Sequence, residues 1–136
     1  GRYGALLRGA KADILETSFA SELEVLVSDL KRIADGDRRT RDYTMLSLRR
    51  ALVEIVARFP VYRTYLGDAD PAPEDRDLVE RTVAKAKAGS VLPDLTVHDF
   101  VASALLARRG IARQGAELVS RFRRRFQQLT GPVMAK

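Results

Sequence analysis

Apolar residues recur along the chain at helical spacing. From Phe19 they fall at Leu23, Leu26, Leu30 and Ile33, steps that place them on one side of an α-helix. Leu48, Leu52, Ile55 and Phe59 repeat the pattern. Met45, Val53 and Val56 widen this second stripe, which predicts burial against more than one neighbour. Leu78, Val79, Val83 and Ala86 predict a third helix. Val97, Val101, Ala104 and Leu105, with Phe100 beside them, predict a fourth. Ile111, Leu118, Val119, Phe122, Phe126 and Leu129 predict a last one. Upstream, Ala5, Leu6 and Leu7 begin a lead-in, and Lys11 to Glu16 is weakly helical. No stretch alternates apolar and polar residues in the manner of a strand, and no Asn-Gly hairpin dipeptide occurs. The pattern predicts an all-α fold, a compact bundle of about six short helices with no sheet. A chain of 136 residues has room for one core, so residues 1–136 are expected to form a single domain.

Between the stripes lie stop and start signals. Thr17 or Ser18 is expected to cap the first long helix, and Gly36 to end it in the left-handed conformation. Residues 37–42 form a charged loop in which Arg38, Arg39 and Arg41 are solvated; Thr40 or Asp42 is expected to cap the second helix. Pro60 lacks a backbone N–H and pushes Phe59 out of helical space, so that helix stops there. Gly67 to Pro73 is rich in breakers, and Glu74 and Asp75 open the next helix, where acidic groups suit the dipole. Gly89 closes it. Thr96 with Asp99 resembles a capping box. Arg108 and Arg109 suit a last turn, Gly110 the position after it, and Gly131-Pro132 a final stop.

Composition narrows the chemistry. Hydrophobic residues are 46% of the chain and charged residues 31%, a globular balance that argues against disorder. The absence of cysteine excludes disulfides and thiolate metal sites, and fits the cytoplasm. No apolar run approaches a membrane span, and no signal peptide is visible. His98 is the sole histidine, which excludes a two-histidine zinc site; its place in a first helical turn predicts a surface or boundary residue. No carboxylate pair announces itself as catalytic, and no Gly-rich phosphate loop occurs. No cofactor or metal is expected. The net charge of +6 raises the question of nucleic acid, and Arg121, Arg123, Arg124 and Arg125 are the densest basic cluster. Phe122 and Phe126 interleave it at i, i+4, the spacing of a core face, which favours arginines that are solvated or carboxylate-paired and argues against nucleic acid.

One stretch carries an unusual load. Phe59-Pro60-Val61-Tyr62-Arg63-Thr64-Tyr65 packs two tyrosines and a guanidinium fork just beyond a helix end. Tyrosine faces and hydroxyls beside a planar donor suit a sugar ring; the plainer reading of the same seven residues is a helix exit whose tyrosines close the core and whose arginine caps carbonyls. The chain closes on Arg125-Phe126-Gln127-Gln128-Leu129-Thr130-Gly131-Pro132-Val133-Met134-Ala135-Lys136. These two motifs, in this order, resemble the malto-oligosyltrehalose synthases of the α-amylase-like glycoside hydrolase family 13. Ser21-Glu22-Leu23, the run from Thr44 to Ala57, and Asp75-Arg76 fit the same resemblance, which covers nearly the whole chain.

The resemblance implies more than the residues alone. Members of that family are several times longer, with catalytic carboxylates on a (β/α)₈ barrel, so this chain looks like the helical region inserted in such an enzyme, an excised piece with no catalytic residue of its own. The reaction it implies is an intramolecular transglycosylation, part of trehalose biosynthesis. A barrel aspartate attacks, a glutamate protonates the leaving glucose, and the reducing-end α-1,4 linkage of a malto-oligosaccharide becomes α,α-1,1. Free glucose must be held while water is kept out. Tyr62, Arg63 and Tyr65 are expected to wall that site, with Gln127, Gln128 and Lys136 as further sugar contacts. The implied partners are a malto-oligosaccharide and the catalytic barrel of the same polypeptide. Two other readings stand beside it: a basic all-helical module that binds nucleic acid or an acidic partner, and a structural brace that touches no substrate. The nucleic-acid reading requires exposed aromatics near residues 121–125.

Overall fold

The third helix is the hub of the molecule, because residues 51–57 in its second half are apolar at every position but Glu54. The computed structural model describes residues 2–60, 66 and 70–135, with side chains placed for all of these except residues 2–7, 112–114 and 133–135. Among the described residues six helical elements follow one another: α1 (Arg2–Thr17), α2 (Ala20–Asp35), α3 (Met45–Arg58), α4 (Pro73–Ala88), α5 (Thr96–Leu105) and α6 (Arg109–Ala135). No strand occurs among the described residues. Leu48 and every residue from Ala51 to Ala57 are buried, and α3 packs on α1, α2, α4 and α5. The widened stripe therefore does mean burial against several neighbours, although Met45 itself stays exposed. α6 lies along α2, its most extensive partner, and brings Phe122 and Phe126 into the same core as Leu23, Leu30, Ile55 and Val101.

Helix punctuation departs from the expectation in several places, each for a local reason. Thr17 turns its hydroxyl back onto the Asp13 carbonyl at 2.6 Å, and Phe19, with no side-chain cap, precedes α2. Gly36 is right-handed (φ −78°, ψ −6°). A reversal is unnecessary there, because the N–H of Asp37 and the hydroxyl of Thr40 both serve the Ala34 carbonyl. Thr40 is thus occupied, and Thr44 caps α3 instead of Thr40 or Asp42, its hydroxyl accepting from the Ser47 N–H at 3.1 Å. Thr96 lies inside α5; Asp94 takes the capping role, its carboxylate accepting from both the N–H and the hydroxyl of Thr96.

α5 ends earlier than expected. Leu106 closes it, and Ala107 adopts the left-handed conformation (φ 49°) that the sequence pattern assigns to Gly110. Gly110 sits within the first turn of α6. That last element leaves helical geometry at Gly115 (φ 176°, ψ 70°), so it is in effect two helices end to end. Gly131-Pro132 does not stop it. Pro132 removes one donor from the ladder, but Gln128, Gly131 and Pro132 are all exposed, so water can serve the carbonyl left without that donor.

Candidate functional site

The two motifs that carry the resemblance meet in space. α3 ends at Arg58, and Phe59 turns into extended backbone (φ −64°, ψ 134°) with its ring buried. That ring meets Phe126 of α6 edge to face, with centroids 5.6 Å apart, and Phe126 in turn lies 6.2 Å from Phe122. Beyond the first motif, Leu66 is fully buried, and its N–H donates to the Gln127 side-chain oxygen at 3.1 Å. On the other flank the Lys11 ammonium of α1 donates to the Phe59 carbonyl at 2.5 Å. Burial pushes the Lys11 amine below its ordinary value. The first motif is thus tied down at both of its ends, by α1 before Pro60 and by α6 at Leu66.

Tyr62, Arg63, Tyr65 and Lys136 lie outside the described residues. The two glutamines part company. Gln127 is half-buried and faces Leu66, whereas Gln128 is exposed. Gln128 lines a separate groove of about 340 Å³ with Phe19, Val25, Arg125, Leu129 and Pro132. Adjacent residues on a helix point about 100° apart, so a neighbouring pair cannot serve one narrow site from the same face.

A second cluster is the one that sequence reasoning missed. His98, expected at the surface, is wholly buried, and Glu54 is only 4% exposed. Both His98 Nε2 and the Ser90 hydroxyl lie 2.7 Å from the same oxygen of Glu54. Arg50 Nε reaches the other oxygen at 3.1 Å, and Arg58 holds the Glu54 main-chain carbonyl at 3.1 Å. Burial pushes the Glu54 carboxyl up, but the bonds from Ser90, His98 and Arg50 and the Val91 backbone together outweigh it, leaving the group below its ordinary value. The signal was present in the spacing: His98 precedes the buried Ala102 and Leu105 by four and seven positions on one face.

The set of residue types invites comparison with a hydrolytic triad, but the geometry differs. A nucleophilic serine needs its hydroxyl on the imidazole. Here Ser90 gives its proton to Glu54 and accepts from the Leu92 N–H at 3.0 Å. The carboxylate is the hub, and the cluster fastens α3 to α5 and to the connector before it.

The basic cluster on α6 is largely engaged. Phe122 and Phe126 are fully buried, so the aromatics interleaved with the arginines are not available for stacking. Arg125 bonds both oxygens of the buried Asp29 at 2.9 and 3.0 Å, with Arg121 at 3.4 Å. Arg123 is buried and donates to the Leu105 carbonyl. Among the described residues no group of three or more His, Asp or Glu side chains gathers as metal ligands, and no helix is long and apolar enough to cross a membrane. No family model, curated protein or solved structure matches the chain.

Proposed function

We propose that this chain is the helical region of a malto-oligosyltrehalose synthase, a cytoplasmic isomerase of the α-amylase-like kind, and that its 59–66 stretch walls the reducing-end glucose site against water. The observation that carries the reading is the convergence of the two motifs. Residues far apart in sequence are held side by side by the Phe59–Phe126 contact and by the Leu66–Gln127 hydrogen bond. Such convergence supports a shared task for the two stretches.

In this reading the catalytic carboxylates belong to the barrel of the same polypeptide, and the present chain supplies no reacting group. Tyr62 and Tyr65 offer flat faces and hydroxyls to the released glucose, and Arg63 offers a donor fork. Lys11 and Gln127 act at one remove, by fixing the ends of the stretch that bears them. Holding the released glucose while excluding water separates isomerisation from hydrolysis.

The test is the product ratio of the full-length enzyme acting on a malto-oligosaccharide. Arg63→Ala is expected to raise free glucose relative to the trehalose-terminated product by about tenfold, the equivalent of one lost charged hydrogen bond. An unchanged ratio with normal folding would remove the wall role.

A further inference from the structure

A different groove lies at the other end of α3. It has a volume of about 460 Å³ and opens between the 36–44 connector, the start of α5 and the start of α6. α3 is 14 residues long, so this groove lies roughly 20 Å from Phe59 at 1.5 Å per residue. It is separate from the 59–66 stretch, and its capacity to bind a ligand is independent of the role proposed for that stretch.

The floor is apolar: Ile33, Tyr43, Phe100 and Ile111. Tyr43 and Phe100 pack edge to face at 5.6 Å, which fixes the tyrosine ring. Its hydroxyl is fixed as well. The Thr96 hydroxyl gives its single proton to Asp94 at 2.5 Å, so the 2.7 Å contact between Tyr43 and Thr96 must have tyrosine as the donor. The phenol oxygen therefore turns only lone pairs toward a ligand.

The rim is charged in balanced pairs. Asp37 meets Arg39 at 3.3 Å, and Asp99 meets Lys87 at 3.0 Å. Arg108 donates to the Ser103 hydroxyl at 3.1 Å and comes within 4.0 Å of Glu80. Such a rim makes no demand for net charge on a ligand. It offers carboxylate acceptors and guanidinium donors on both sides of an aromatic floor. Adjacent hydroxyls on a ring that has an apolar face satisfy both features at once, and the volume falls within the range of roughly 300–1,000 Å³ of small-molecule sites.

We propose that this groove binds a neutral polyhydroxylated ring, a pyranose unit, laid against Tyr43 with its hydroxyls on Asp99 and the phenol oxygen. The experiment is an amide NMR titration of the whole chain with methyl α-glucoside, and with inorganic phosphate in parallel. Saturable shifts at Thr40, Tyr43, Thr96, Ser103 and Gly110 with the glucoside are expected, with none at these amides from phosphate. Tyr43→Phe keeps the ring and removes the acceptor, and Asp99→Asn changes an exposed carboxylate without touching the core. Each is expected to weaken binding by about tenfold while the rest of the spectrum stays in place. Absence of glucoside shifts, stronger shifts with phosphate, or unchanged binding in both variants would overturn the assignment.

Discussion

Glu54 shows how one side chain can set the behaviour of a core. It accepts from Ser90, His98 and Arg50, groups on three different segments. Glu54→Gln keeps the shape and removes the charge, so the bonds to it weaken together. The expected loss is about 2 kcal/mol in urea unfolding at neutral pH. The same residue gives a pH dependence whose sign can be worked out. Its carboxyl is lowered in the folded chain, so its contribution is present above the unfolded value of about 4.3 and fades as pH falls through the lower folded value. Stability of the native chain should therefore drop more steeply below that point than stability of Glu54→Gln. Parallel curves for the two would mean that the carboxylate is not the hub. His98 Nδ1, a buried ring nitrogen with no hydrogen-bond partner among the described residues, sits at the edge of this network, whose far side is less well satisfied.

At the scale of elements, the apolar spacing carried most of the fold, and the junctions carried least. The stripes through Leu23 to Ile33, Leu48 to Phe59 and Phe122 to Leu129 are buried where the period places them, because a helix must put them on one face. Junctions depend on which polar group reaches an open carbonyl first, and that is settled by a neighbour a turn or two further along the chain or by a shift of a few residues. Gly36 illustrates the first case, since Thr40 served its helix end and left the glycine no task. Ala107 illustrates the second: the chain reverses three residues before the glycine that seemed made for it. The candidate site was legible in the same partial way. The two motifs stood out by residue type, but nothing in the spacing announced that Gln127 would turn to Leu66 and Gln128 away from it. Glu54 was hidden because a carboxylate inside an apolar run reads as a surface residue until its partners are known. The left-handed backbone at Ala107 costs about 1–2 kcal/mol relative to glycine, more than the extra chain entropy glycine brings to the unfolded state. Ala107→Gly is accordingly expected to raise the urea midpoint by the equivalent of about 1 kcal/mol with an unchanged slope. A lower midpoint would mean that the methyl group's packing against the core outweighs the strain.

For the molecule as a whole, the sign of its charge is less informative than where that charge is used. A net charge of +6 suggests a phosphate-binding face, yet the arginines best placed to form one are turned inward onto Asp29. Asp29 is 2% exposed and joins α2 to α6, the most closely packed pair of helices. Asp29→Ala should remove about 1–2 kcal/mol, because the charge-assisted bonds to it are lost while the two guanidiniums, each more than a third exposed, can still be hydrated. It should also alter the surface. Arg121 and Arg125 would become free to meet phosphates, and the dependence of any duplex-DNA binding on salt should steepen by about two in log–log slope. Stability and DNA binding measured on the same pair of proteins separate the two uses of these arginines. If they serve the fold, the variant loses stability and gains salt-sensitive binding that the native chain lacks. If they serve nucleic acid, the native chain already binds with a steep slope and Asp29→Ala leaves that slope where it was. The depth of Phe122 and Phe126 favours the first outcome, since a strand laid on these arginines would find neither of the two interleaved rings to stack on.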